Sequence, residues 1–248
     1  MSQESKLLFV DAGNSLVKIG LWESDDRMIA SSFSWEAMEE LELWTTEKIN
    51  GYFEGATICG IASGPVYKLP KVFANTVWFD DLLEWPIQNK YLTPHTLGHD
   101  RLAMAAAAFL ERGDDLLLIT LGTCITYNIV KNGAFLGGAI SPGWDMRYRA
   151  MNDYTAGLPL ETFDRCTTAL GVDTAGSLRS GVDIALPLEV EGMIQLYTER
   201  FEIKNVMLCG GDTNRLPKPL KKHIFAPANF ELHALKRLHD YFKSTGQI

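Results

Sequence analysis

Residues 7–21 read LLFVDAGNSLVKIGL, and residues 116–130 read LLLITLGTCITYNIV. Each is an apolar run, a glycine turn and a second apolar run, which predicts a β-hairpin. Asp11-Ala12-Gly13-Asn14-Ser15 aligns with Thr120-Leu121-Gly122-Thr123-Cys124 at an offset of 109 residues, close to half of a 248-residue chain. One such hairpin is a weak signal, whereas one at the head of each half points to a duplicated lobe. The expected boundary falls near Gly113-Asp114, giving an N-terminal lobe of 1–113 and a C-terminal lobe of 114–248.

Outward from the hairpins, Trp35 to Ile49 carries apolar residues at helical spacing. Thr57 to Ala62 predicts a buried strand stopped by Ser63-Gly64-Pro65, and Thr76 to Phe79 a short strand. Residues 81–97 are loop-like, with Pro86 and Pro94. An alanine-rich helix is expected from about Asp100 to Gly113. Further on, turns are expected at Gly137-Gly138 and Ser141-Pro142-Gly143. Helices are expected at Asp145–Tyr154, Asp173–Val182, Leu188–Phe201 and Phe230–Phe242, with a strand at Val206–Cys209 leading into Gly210-Gly211-Asp212.

The chain has 46% hydrophobic residues and a net charge of −8, enough apolar content for a core and the wrong balance for a broad nucleic-acid surface. Nucleic-acid partners are therefore not expected. Cys59, Cys124, Cys166 and Cys209 are too far apart for a zinc or disulfide framework. No run is long enough to span a membrane, and the start lacks a signal-peptide pattern, so a reducing, cytoplasmic setting is expected.

Glycine turns let backbone amides approach phosphate, and Asn14, Ser15 and Thr123 add hydrogen-bonding side chains. Asp11, at the end of the first strand, is placed to hold hydrated Mg²⁺ or simply to cap the turn. In Gly98-His99-Asp100-Arg101, Asp100 reads either as a helix N-cap or as a general base on an acceptor hydroxyl, with Arg101 on an anionic substrate group. Gly210-Gly211-Asp212 reads as a plain turn or as a border to a nucleotide. The basic stretch Arg215, Lys218, Lys221 and Lys222 reads as a solvated face.

DAGNSLVKIG, LGHDRLAMAAAA, LGTCITYNIV and GGAISPGWDMRYRAM occur in the order and approximate spacing of type III pantothenate kinase, which the chain resembles along almost its whole length. Tyr91 before Pro94, Ala156–Leu158–Pro159, Thr174 before Ser180-Gly181, and LCGGD add to the resemblance. It implies an α/β fold of two duplicated ribonuclease-H-like, actin-like lobes with mixed central sheets flanked by helices. It also implies ATP- and Mg²⁺-dependent phosphorylation of pantothenate, the first step of coenzyme A synthesis. By the same resemblance ATP is bound by residues 11–18, among them Asp11, Gly13, Asn14, Ser15 and Lys18, together with Thr123. Asp100 is the proton acceptor. Pantothenate is held by Tyr91, by Gly98, His99 and Arg101, and by Thr174 from the partner subunit of a homodimer.

The family usually reads DxGTAxTxD at the second hairpin, where this chain has Thr120 and Asn128 in place of the two acids. The first acid is the family's ligand for K⁺ or NH₄⁺. A neutral hydroxyl at Thr120 forfeits the Coulomb attraction, so weak or absent K⁺ dependence is expected. The alternative is a catalytically weak or inactive paralogue serving as a ligand-binding accessory protein. A third reading is another small-molecule kinase of the same superfamily, acting on a sugar or an acid, of which a sugar fits Tyr91 and the 98–101 segment less well because both suit an anionic acceptor.

Overall fold

The first predicted hairpin forms as β1 (Leu7–Ala12) and β2 (Leu16–Ser24), antiparallel, with Asp11 opposite Lys18. β3 (Arg27–Ser34) continues the meander, and α1 (Met38–Ile49) follows. Next come β4 (Thr57–Ala62), the two-residue strands β5 (Val77–Trp78) and β6 (Gln88–Asn89), and α2 (His99–Arg112). The structure, a computed structural model, describes residues 7–24, 27–49, 57–80, 82–113, 115–165, 167–217, 220 and 223–248. Asp114, Cys166, Lys218, Lys221 and Lys222 lie outside the described residues.

The second hairpin forms as β7 (Leu116–Leu121) and β8 (Cys124–Lys131), followed by β9 (Ala134–Pro142) and α3 (Trp144–Asp153). α4 (Thr174–Arg179), α5 (Ala185–Phe201), β10 (Asn205–Cys209), β11 (Ile224–Phe225) and α6 (Phe230–Ser244) complete the order. The chain divides into two units, residues 1–111 with 229–248, and residues 112–228.

Strand order identifies the duplication. The first unit reads β3-β2-β1-β4-β5, and the strands of the second read β9-β8-β7-β10-β11. In each unit the hairpin strand that comes first is antiparallel to its hairpin partner and parallel to the strand on its other side. Such mixed sheets place crossover helices on their faces. In the first unit Leu8, Val10, Val17 and Ile19 pack with Phe33, Trp35 and Leu41. In the second, Leu117, Ile119, Tyr127 and Ile129 pack with Trp144, Tyr148 and Val190. Full burial of one such side chain stabilises by about 1.5–3 kcal/mol.

Several sequence expectations need correction. β3 has no forecast, because its half-buried residues lack a clean alternation. Gly137-Gly138 is no turn: both lie within β9, beside a register shift at Ile129/Val130. The helices expected at 173–182 and 188–201 are joined by a π turn, Ser180–Ile184, that leads straight into α5. Pro187, which lacks an N–H, lies just after this π turn, at the third position of α5. α6, assigned from sequence to the second lobe, belongs to the first unit, where it packs on β1, β2 and β4. Arg215 is not on a solvated face: it pairs with Asp145 at 2.8 Å and lies 5.3 Å from the Phe163 ring. Among the described residues no helix is long and apolar enough to cross a membrane.

Candidate active site

The turn of the first hairpin closes through Gly13 N–H donating to the Leu16 carbonyl at 3.0 Å. It is braced from two sides. Trp35 Nε1 donates to the Gly13 carbonyl at 3.0 Å, and the amides of Ser63 and Gly64 donate to the Ala12 carbonyl at 3.0 and 2.9 Å. A Cβ on Gly64 would stand 2.2 Å from the Gly13 carbonyl oxygen, so only glycine fits. The second unit repeats the device: Gly210, at φ +99°, follows β10 and would place a Cβ 2.1 Å from the Leu121 carbonyl oxygen. The sequence reads Ser63-Gly64-Pro65 as a stop after a strand and Gly210-Gly211-Asp212 as a plain turn or a border to a nucleotide, and in both a glycine within two residues of a buried strand is the usable signal.

Asn14 and Ser15 are exposed at the turn, and Lys18 is half-buried on β2. Asp11 is half-buried as a residue, but its Oδ1 is shielded from solvent and has no hydrogen-bond partner among the described residues. Burial, then the Glu231 carboxylate and, more weakly, that of Asp100, push the Asp11 carboxyl up to about 7, against an opposing pull from Lys18. Asp11, Lys18, Asp100 and Glu231 therefore form one electrostatic group within the first unit. Glu231, in the first turn of α6, is the member that sequence reading missed. It forms an ion pair with Lys18 across 213 residues of chain.

The Gly98–Arg101 segment starts α2, with the amides of Arg101 and Leu102 donating to the Gly98 carbonyl. Asp100 folds back so that a Cβ on Gly98 would lie 2.4 Å from its Oδ1, and a side chain there would displace the carboxylate. Arg101 is 8% exposed, and its guanidinium lies 5.9 Å from the centre of the Tyr91 ring, a cation–π contact. His99 is half-buried at the first position of the helix. The structure thus gathers Asp11, Lys18, Asp100, Arg101 and Tyr91 in one unit.

Thr123 and Thr174 belong to the other unit, where both are exposed. Thr174 opens α4 behind the cap formed by Asp173, which accepts from the Gly176 amide at 2.6 Å. It lines a pocket of about 620 Å³ with Met151, Leu158, Gly171 and Ser177. At the second hairpin the Thr120 hydroxyl lies 3.3 Å from Cys209 Sγ, its cross-strand partner, and fully buried Asn128 donates from Nδ2 to Thr126 Oγ1 at 3.1 Å. Among the described residues no group of three or more His, Cys, Asp and Glu is arranged to enclose a metal.

The sequence model of the family described as type III pantothenate kinase matches residues 7–196. The chain belongs to the type III pantothenate kinase family. Among curated type III pantothenate kinases, that of Flavobacterium johnsoniae is 37% identical over 242 residues, covering 95% of this chain and 98% of that protein. That of Christiangramia forsetii is 34% identical over 245 residues, covering 96% and 99%. Among solved structures, a Campylobacter jejuni protein described as a Baf family transcriptional activator superposes with a TM-score of 0.64 at 19% identity, covering 97% of this chain and all of that one. Component A of the Acidaminococcus fermentans (R)-2-hydroxyglutaryl-CoA dehydratase superposes at 0.52 and 12% identity, covering 97% and 99%. These two likenesses bear on the fold alone. For this type III pantothenate kinase family member they agree with two duplicated ribonuclease-H-like lobes.

Proposed function

We propose that this chain transfers the γ-phosphoryl group of ATP to the hydroxyl of pantothenate, giving 4′-phosphopantothenate and ADP, the first step of coenzyme A synthesis. The observation that carries the reading is the near full-length kinship with type III pantothenate kinases, coupled to a site in which Asp11, Lys18 and Asp100 stand together. In this reading Asp100 accepts the hydroxyl proton as the oxygen bonds to the γ-phosphorus and the bond to the bridging oxygen of ADP breaks. The braced turn at Gly13, with Asn14, Ser15 and Lys18, holds phosphate, and Thr123 adds a hydroxyl from the second hairpin. Arg101, fixed against Tyr91, pairs with the pantothenate carboxylate, aided by Gly98 and His99.

The unpartnered, shielded Oδ1 of Asp11 fits a carboxylate that accepts from the water shell of Mg²⁺. Bound there, Mg²⁺ would neutralise charge on the triphosphate. Thr174 would complete the acceptor pocket from a second subunit. Tyr154, Leu160, Leu170 and Val172, all exposed in the second unit, support a homodimer. A cytoplasmic location fits the reaction. Thr120 already faces a neutral thiol, which supports turnover without a K⁺ requirement. The gathering of Asp11, Lys18 and Asp100 favours catalysis over the accessory-protein alternative.

The test is ADP release by the purified protein with ATP, Mg²⁺ and pantothenate. Pantothenate-dependent ADP is expected, and none above background would overturn the assignment. Asp100→Asn should lose about 10²–10⁴-fold in turnover while ATP still binds, whereas full rate in that variant would remove Asp100 from its role.

A further inference from the structure

Antiparallel pairing sets Asp11 directly opposite Lys18, and Phe9 opposite Gly20. Directly opposed side chains share a face, with Cβ atoms about 4.5–5.5 Å apart. The same face carries Trp22, two residues beyond Gly20. α6 lies on this face through three anchors. His239 meets Phe9 edge-on with ring centres 5.8 Å apart, and His233 meets Trp22 edge-on at 5.1 Å. Leu232 comes so close to Gly20 that a Cβ there would lie 3.0 Å from Leu232 Cδ1. Phe230 and Leu232, at 2% and 1% exposed, fix the first turn of the helix on either side of Glu231. These anchors deliver the Glu231 carboxylate to Lys18.

Lys18 therefore has two carboxylates within its reach. It takes the one from α6, while Oδ1 of Asp11 stays shielded and without a partner. Had Lys18 paired with Asp11, the two charges would cancel at the very position that the proposed function assigns to hydrated Mg²⁺. With Glu231 present, the trio carries a net negative charge when ionised, and the Lys18 amine is held at a defined point.

We propose that Glu231 is a positioning residue for the nucleotide site, which holds Lys18 off Asp11 so that the Asp11 carboxylate stays unpaired for the hydrated metal ion of MgATP. The inference rests on the proposed roles of Asp11 and Lys18. It sets a sign that distinguishes it from a packing role. Losing the Glu231 charge should weaken MgATP, because Lys18 turns to Asp11, but should not weaken metal-free ATP, because one negative charge has left the site.

The experiment is calorimetric binding of MgATP, and of ATP in EDTA, to the full chain as wild type, Glu231→Gln, Glu231→Asp and Lys18→Ala, with KM for both substrates. Glu231→Gln is expected to weaken MgATP about tenfold, as loss of a partner that orients a metal-site residue does. It should leave metal-free ATP and the KM for pantothenate unchanged, and Glu231→Asp should recover part of the loss. Equal weakening of MgATP and metal-free ATP in Glu231→Gln would make Glu231 a structural residue and overturn the proposal. So would unchanged MgATP binding in Glu231→Gln where Lys18→Ala weakens it. Unchanged nucleotide binding in Lys18→Ala would instead overturn the assignment of Lys18 on which the inference stands.

Discussion

At the scale of single residues, Asp11 links stability to function. Its carboxyl is raised from 3.8 to about 7, so between those values the folded chain keeps a proton that the unfolded chain has lost. Stability of the metal-free protein should then fall as pH rises through that window, by about 4 kcal/mol at most. Above it the penalty is fully present. Asp11→Asn should flatten this slope and raise the melting temperature at pH 8, as thermal unfolding in EDTA across pH 4–8 would reveal. No difference in slope between the wild type and Asp11→Asn would mean that Asp11 ionises freely. Gly98 makes a second case. In Gly98→Ala the new methyl takes the space of Asp100 Oδ1, 2.4 Å away, and a flexible carboxylate is what yields. The expected outcome is a fall in kcat with an almost unchanged melting temperature. Asp11, Lys18 and Asp100 were legible in sequence because each sits in a short local motif. Glu231 was not, because it occupies an ordinary amphipathic helix and meets Lys18 only through the packing of Leu232 on Gly20.

At the scale of elements, the hairpins depend on what braces them. Gly64→Ala pushes a methyl against the Gly13 carbonyl and should cost about 1–3 kcal/mol, together with a raised KM for ATP. Denaturant unfolding and steady-state kinetics would check both. Normal kinetics in a destabilised variant would separate the brace from phosphate binding. The second hairpin carries the cation question. Its Thr120 hydroxyl faces the Cys209 thiol, and neither is charged. ADP release should be unchanged when K⁺ is replaced by a bulky organic cation, and Thr120→Asp should introduce a K⁺ response by restoring a carboxylate. Strands with continuous apolar runs, β1, β4 and β7, were legible because burial on both faces leaves that mark. β3 was not, since a half-exposed strand mixes polar and apolar residues without a period. The π turn before α5 has no forecast, because Gly181 and Pro187 are both poor helix formers.

At the scale of the whole molecule, the duplication was legible from two glycine turns, and the matched strand orders agree with it. The chain divides at 111/112, and residues 229–248 return to the first unit. No local pattern marks that return, because an amphipathic helix does not declare which sheet it covers. Phe230, Leu232, Leu235, Leu238 and Phe242 of α6 are all buried. At about 1.5–3 kcal/mol each, their loss rivals the whole stability of a domain. A chain ending at Ala228 should therefore lose cooperative unfolding of the first unit, seen as loss of the tryptophan signal from Trp22, while residues 112–228 keep their fold. The split also orders events during synthesis. The second unit is one unbroken stretch and can close as soon as it clears the ribosome. The first must wait, its sheet bare at Phe9 and Trp22, until the final helix emerges. Only when that interval ends does Glu231 meet Lys18.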